Sequence, residues 1–154
     1  MNRLIDRYKL NPHPEGGYYK EIYKSDHFVK SAIIGKPRSA VTHIYFLLVK
    51  SQISKFHKVF HDEIWNFYEG DPIRLIQYDG VDIEEYLIGR RCGRYAAIIK
   101  GGVYQAAEST GDYSFVGCTV APGFEFEDFS LLSDHVEAKE ALLKEYPQYQ
   151  NYIL

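Results

Sequence analysis

Between Thr42 and Val120 the chain repeats one rhythm, a short apolar or alternating run followed by a turn signal, and few folds are compatible with it. Thr42 to Val49 is apolar at successive positions, which fits a strand sandwiched between layers. Ile73 to Tyr78, Glu84 to Ile88, Tyr95 to Ile99, Val103 to Glu108 and Tyr113 to Val120 read as further strands. Asp79-Gly80, Gly89, Gly101-Gly102 and Thr110-Gly111-Asp112 separate them. Many short strands at near-regular spacing predict an all-β sandwich or barrel.

The flanks are simpler. Asn2 can cap a helix through about Leu10, with Leu4, Ile5 and Tyr8 on one face, and Pro12 and Pro14 end it. Gly16-Gly17 permits a tight entry into a strand from Tyr18 to Tyr23. Residues 25 to 39, polar and holding Gly35 and Pro37, read as a loop beside a pocket mouth. Near the C-terminus, Asp134 and Glu137 form a capping-box pattern for a helix running to about Glu145, where Pro147 stops it. That helix is expected to cover the outside of the β-structure. No repeat or linker interrupts the chain, so one domain over 1–154 is expected.

Composition narrows the partners. Hydrophobic residues make up 45% and charged residues 25% of 154, enough for a continuous core. A net charge of −3 provides no basic footprint, which argues against nucleic acid. No apolar run approaches the roughly 20 residues that cross a bilayer, and Met1-Asn2-Arg3-Leu4-Ile5-Asp6 is not the start of a signal peptide, so a cytoplasmic location is expected. Cys92 and Cys118 are too few for a disulfide framework, and Cys118 reads as a small hydrophobe within a strand.

The chemistry concentrates in residues 56–70. His57 precedes Glu63 by six residues, and if 56–59 and 63–68 pair as a hairpin turning at Phe60-His61-Asp62, the two side chains face each other roughly 5 Å apart. Such a pair can share a metal, form an acid/base couple or make a structural hydrogen bond. If both point inward, Val59, Trp65 and Phe67 follow them, while Lys58, Asn66 and Tyr68 face away. On the strand beginning at Thr42, either His43, Tyr45 and Leu47 or Thr42, Ile44 and Phe46 face in.

The spacing His57, Glu63, Gly70 resembles the first signature of the cupin superfamily, H-x-H, three or four residues, E, six residues, G. Val59 stands at the second His. The second signature, P-x-G-x-x-H, aligns with Lys100 to Gln105, where Lys100 replaces Pro, Gly102 is kept and Gln105 replaces His. Together with Asn11 to Tyr19, Thr42 to Leu48, Val103 to Ala107 and Val116 to Phe129, the chain resembles the DUF985 cupin family nearly end to end. The resemblance implies an RmlC-like jelly-roll barrel, commonly a homodimer, lacking the full four-ligand metal site of cupins.

Three functional readings follow from these residues. The first is an isomerase- or epimerase-like enzyme acting on a carbohydrate-like or other carbonyl compound, with His57 as base, Glu63 orienting it, and Tyr45 or Tyr19 as the acid. The second is a metal-dependent enzyme with a divalent ion on His57, Glu63 and Gln105, although an amide oxygen is a weak partner for the metals that imidazole favours. The third is a ligand-binding or scaffold cupin without catalysis. Substrate contacts are expected from Gln105, Trp65, His43, Tyr19, Glu15 and Asp128. A structural role bonding loop amides competes at Glu15, and a solvated loop competes at 125–128. His13, His27, His61 and His135 read as surface or loop residues.

Overall fold

A computed structural model describes residues 2–153. Helix α1 (Asn2–Tyr8) precedes β1 (Asn11–Pro12), β2 (Tyr18–Lys24), β3 (Phe28–Lys30), β4 (Pro37–Ser39), β5 (Thr42–Val49), β6 (Ile53–Lys58) and β7 (Asp62–Gly70). Then follow β8 (Ile73–Tyr78), β9 (Ile83–Ile88), β10 (Ala96–Ile99), β11 (Tyr104–Ser109), β12 (Tyr113–Ala121), β13 (Ser130–Leu131) and α2 (Val136–Glu145). The glycine and aspartate turn signals therefore lie between strands as expected.

Two antiparallel sheets face each other as a jelly roll, one ordered β1-β2-β5-β12-β7-β10 and the other β13-β6-β11-β8-β9. Phe46, Leu48, Trp65, Phe67, Leu75 and Val116 are among the side chains buried between them. Part of each outer face is covered as well. Leu47 and Val49 lie beneath Leu4 and Leu10 at the α1 end, so β5 is apolar on both faces because each meets a different layer. On the opposite side Leu142 of α2, with Tyr149 and Tyr152 beyond it, packs on Phe56, Ile76 and Ala106.

Three local expectations are corrected. Residues 57 and 63 do not sit in one hairpin. β6 pairs with β11 and β13, whereas β7 pairs with β12 and β10, so the segment between them crosses from one sheet to the other. The turn at Gly101-Gly102 braces that crossing. The Gly102 N–H donates to Val59 O at 2.7 Å, the Gly101 N–H donates to Asp62 Oδ1 at 2.9 Å, and a Cβ at Gly101 would lie 2.2 Å from Phe60 O.

The second correction concerns residues 25–39, which contain the β3–β4 hairpin, closed by a Ser31 N–H to Lys36 O bond and by Gly35 at φ +69°. The third is the start of α2. Asp134 ends a preceding 3-10 turn (Leu132–Asp134), and His135 takes the cap position without a side-chain cap bond. Asp134 and Glu137 therefore do not form a capping box. Among the described residues no helix is long and apolar enough to cross a membrane.

Candidate functional site

Between the two sheets, at the end where β2, β5, β6, β7 and β12 converge, lies a cavity of about 270 Å³. Its walls are mainly aromatic and aliphatic, and its polar groups are few and placed by specific backbone devices.

The first device is a bulge in β6. Gln105 pairs with His57 and Ala107 with Ser54, so two steps along β11 match three along β6. An extra residue in a strand puts positions three apart on one face, and here Ser54 and His57 come together although strict alternation would separate them. The bulge also orients the imidazole, because His57 Nδ1 donates to Lys55 O at 2.8 Å. Its Nε2 then faces Glu15 Oε2 at 3.1 Å.

Glu15 reaches this point through the glycines that follow it. Gly16 has φ +111°, and a Cβ there would lie 2.1 Å from Ile53 O, so only glycine lets the loop press against β6. The Lys55 N–H donates to Glu15 O at 2.8 Å, and the Ser54 hydroxyl donates to Glu15 Oε1 at 2.6 Å. Glu15 is 5% exposed. Burial pushes its carboxyl up to about 8, against a smaller lowering by the Ser54 hydrogen bond. Burial likewise lowers His57. The pair therefore shares one proton as a neutral acid and a neutral imidazole, which burial favours over two charges. Glu15 is not bonding loop amides with its carboxylate, as the structural alternative had it.

His13, expected on the surface or in a loop, lies in a loop but lines the cavity. Its side chain is 6% exposed, and its Nδ1 accepts the Glu15 N–H at 3.2 Å. Burial, with the nearby His57, depresses its pKa to about 3. The ring is thus neutral, carries its hydrogen on Nε2, and makes no hydrogen bond through Nε2 among the described residues. The available signal was the His13-Pro14-Glu15-Gly16-Gly17 string, in which two glycines permit a close approach of the preceding loop.

Glu63, on β7, lines the cavity and is held from behind. The Gln105 amide N–H₂ donates to Glu63 Oε2 at 2.5 Å, and Trp65 Nε1–H donates to Gln105 Oε1 at 2.8 Å. An indole is a donor only, so it fixes which way the amide points. Burial pushes the Glu63 carboxyl up to about 7; His57 and Gln105 lower it and Glu15 raises it.

The segment after β12 roofs the cavity. It leaves one sheet, crosses the mouth and enters the other as β13, opposite His57 and Lys58. Phe124, Phe126 and Phe129 line the space on this path, and Phe129 stacks on His57 at 5.4 Å. Arg38 on β4 clamps the roof, its Nε and Nη2 donating to the two Asp128 oxygens at 2.8 and 2.7 Å. The β3–β4 hairpin does not line the cavity; it holds the segment that does.

Several expected site residues lie elsewhere. On β5, Thr42, Ile44 and Phe46 line the cavity. His43 and Tyr45 are on the outer face, where His43 Nε2 bonds the Tyr68 hydroxyl at 2.9 Å and Tyr45 packs on Tyr8 and Phe115. Neither lines the cavity. Asp128 is buried against Arg38 and belongs to the clamp. Tyr19, Trp65, Glu15, His57 and Glu63 line the cavity, and Gln105 stands behind Glu63. His61 is buried with its Nε2 2.7 Å from Ser31 Oγ and is not a surface residue.

The residues present do not fit the metal centre weighed above. Gln105 presents its oxygen to the indole and its amino group to Glu63, so it has no oxygen to offer an ion shared with them. His57 has both ring nitrogens engaged. Among the described residues no three His, Cys, Asp or Glu side chains are grouped to hold a metal.

The comparisons agree with this architecture. The curated yeast protein YML079W of Saccharomyces cerevisiae, itself uncharacterised, is 28% identical over 90% of this chain and 78% of its own length. A hypothetical protein from Leishmania major has a solved structure with a TM-score of 0.85 at 30% identity, covering 99% of this chain and 95% of that one. Protein SO0799 from Shewanella oneidensis gives a TM-score of 0.83 at 30% identity over 99% and 93%. More remote double-stranded β-helix proteins share the fold alone. The family described as Cupin superfamily (DUF985) matches residues 2–132, and the chain belongs to that family.

Proposed function

We propose that the cavity binds a small carbonyl compound and moves a proton on the carbon beside the carbonyl, the chemistry of isomerases and epimerases. One observation carries this reading: Glu63 is a buried carboxyl with a pKa near 7, facing an apolar cavity that also holds the neutral His13. A base with that pKa is substantially ionised at neutral pH and still protonated often enough to return what it takes.

In this mechanism the base is Glu63 and not His57, whose nitrogens are occupied by Lys55 O and Glu15. The Glu63 carboxylate removes the proton, and the C–H electron pair moves into the carbonyl to leave an enolate oxygen. His13 Nε2–H donates a hydrogen bond to that oxygen, a task suited to an imidazole that stays neutral. With an α-hydroxy carbonyl compound the Glu63 acid returns the proton to the former carbonyl carbon while the hydroxyl proton passes to the enolate oxygen, which completes an isomerisation from one face; return to the original carbon is exchange with solvent. His57 and Glu15, sharing one proton, keep their side of the cavity uncharged and leave Glu63 as the group that ionises.

The test is solvent deuterium incorporation into a panel of small aldehydes and ketones, followed by proton NMR. Glu63→Gln keeps the shape and the Gln105 contact but removes the base, and exchange is expected to slow by about 100-fold or more. An unchanged rate in that variant contradicts the assignment of the base.

A further inference from the structure

We propose that the compound taken by this site carries a cationic amino group, protonated or quaternary, and no carboxylate or phosphate. The inference rests on the proton-transfer reading for the carbonyl, but the preference for a cation stands on the walls of the cavity. The carboxyl and imidazole side chains among those walls are Glu15, Glu21, Glu63, His13 and His57, with no Lys or Arg. Two cations on flanking segments are paired elsewhere: Lys24 with Glu125 at 2.6 Å, and Arg38 with Asp128. An anionic ligand would lose its water and meet carboxyls instead of a counter-ion.

The roof supplies the complementary argument. The Phe124 and Phe126 rings lie 5.0 Å apart at 81°, and Phe129 meets each of them at 6.3 Å and 73°. Tyr19 adds a fourth ring at 75° to Phe126. The rings pack edge to face on one another, and all four also line the cavity, where aromatic surface attracts a cation. Glu63 lines the same space, and Glu21 stands exposed at its edge, where it adds negative potential along the approach. Aromatic walls beside a carboxylate suit an ammonium group.

Trp65 is the sole tryptophan and lines the cavity, so its fluorescence reports occupancy. Three probes share one branched head and differ in charge: choline, 3,3-dimethylbutan-1-ol and 3,3-dimethylbutanoate. Choline is expected to bind about ten-fold or more tightly than the alcohol, with no saturable response to the butanoate. Phe126→Ala, at a half-exposed position, and Glu63→Gln are each expected to bring choline down to the affinity of the alcohol; isothermal calorimetry checks the second variant independently of Trp65. Equal binding of choline and the alcohol, tighter binding of the butanoate, or no saturable choline response at millimolar concentration overturns the inference. If any of these occurs while uncharged ketones still exchange deuterium through Glu63, only the cation preference has failed. Choline selectivity without any exchange supports the cation site and removes the proton-transfer chemistry.

Discussion

Glu15→Gln is expected to be more stable than the wild type above pH 8, by about 2–4 kcal/mol, and equally stable below pH 4. The carboxyl titrates near its ordinary value when the chain is unfolded but at about 8 in the cavity. Between those values the folded protein holds a proton that the unfolded chain has released. The stability this contributes is fully present below the unfolded pKa and is lost as pH rises through the folded one. Glutamine mimics the protonated acid: its oxygen accepts from Ser54, and its amino group donates to His57 Nε2. Urea denaturation of both proteins from pH 4 to 9 measures the difference. A gap that stays at zero across the range contradicts the buried, protonated state of Glu15.

Gly16→Ala is expected to cost about 3 kcal/mol or more, lowering the melting temperature by roughly 6–12 °C. The added methyl would sit 2.1 Å from Ile53 O, a backbone atom within the bulged strand, and φ is +111° besides. Relief requires the loop to lift from β6, which separates Glu15 from Ser54 and His57. Gly35→Ala is the control. That residue also has a positive φ of +69°, yet a Cβ there meets nothing within 4 Å, so only the conformational term of about 1 kcal/mol remains. Equal losses in the two variants contradict the close approach as the reason for glycine at 16.

Much of the scaffold could be read from local pattern, because the rhythm of apolar runs and glycine turns is itself local. β5 and β8 match their expected limits, and the alternation Glu63, Trp65, Phe67 correctly shares one face. What failed was long-range. The six-residue spacing from His57 to Glu63 suits a hairpin and a crossing between sheets equally well, and the choice depends on the Gly101-Gly102 turn some forty residues away. Which face of β5 looks inward was undecidable because α1 covers the other face, leaving no polar side to break the symmetry.

The functional residues were harder still. A bulge in β6 inverts the alternation that would otherwise separate Ser54 from His57, and nothing in Ile53-Ser54-Lys55-Phe56-His57 announces it. His13 and Glu15 belong to a loop whose position is set by the absence of a Cβ at Gly16, so their burial follows from a contact with a distant strand. The same dependence explains Asp128, an apparent loop acid whose partner, Arg38, lies on a hairpin ninety residues earlier.

Glu63 is the carboxyl proposed to exchange protons at neutral pH. Its titration in the folded wild type is the most direct test, followed by the carboxyl carbon resonance of ¹³C-labelled glutamate with Glu63→Gln used to assign the signal. A midpoint at about 7 is the predicted result. A midpoint near the ordinary glutamate value of about 4.3 would contradict it, because a carboxylate that is fully ionised and weakly basic at neutral pH is not the group described here.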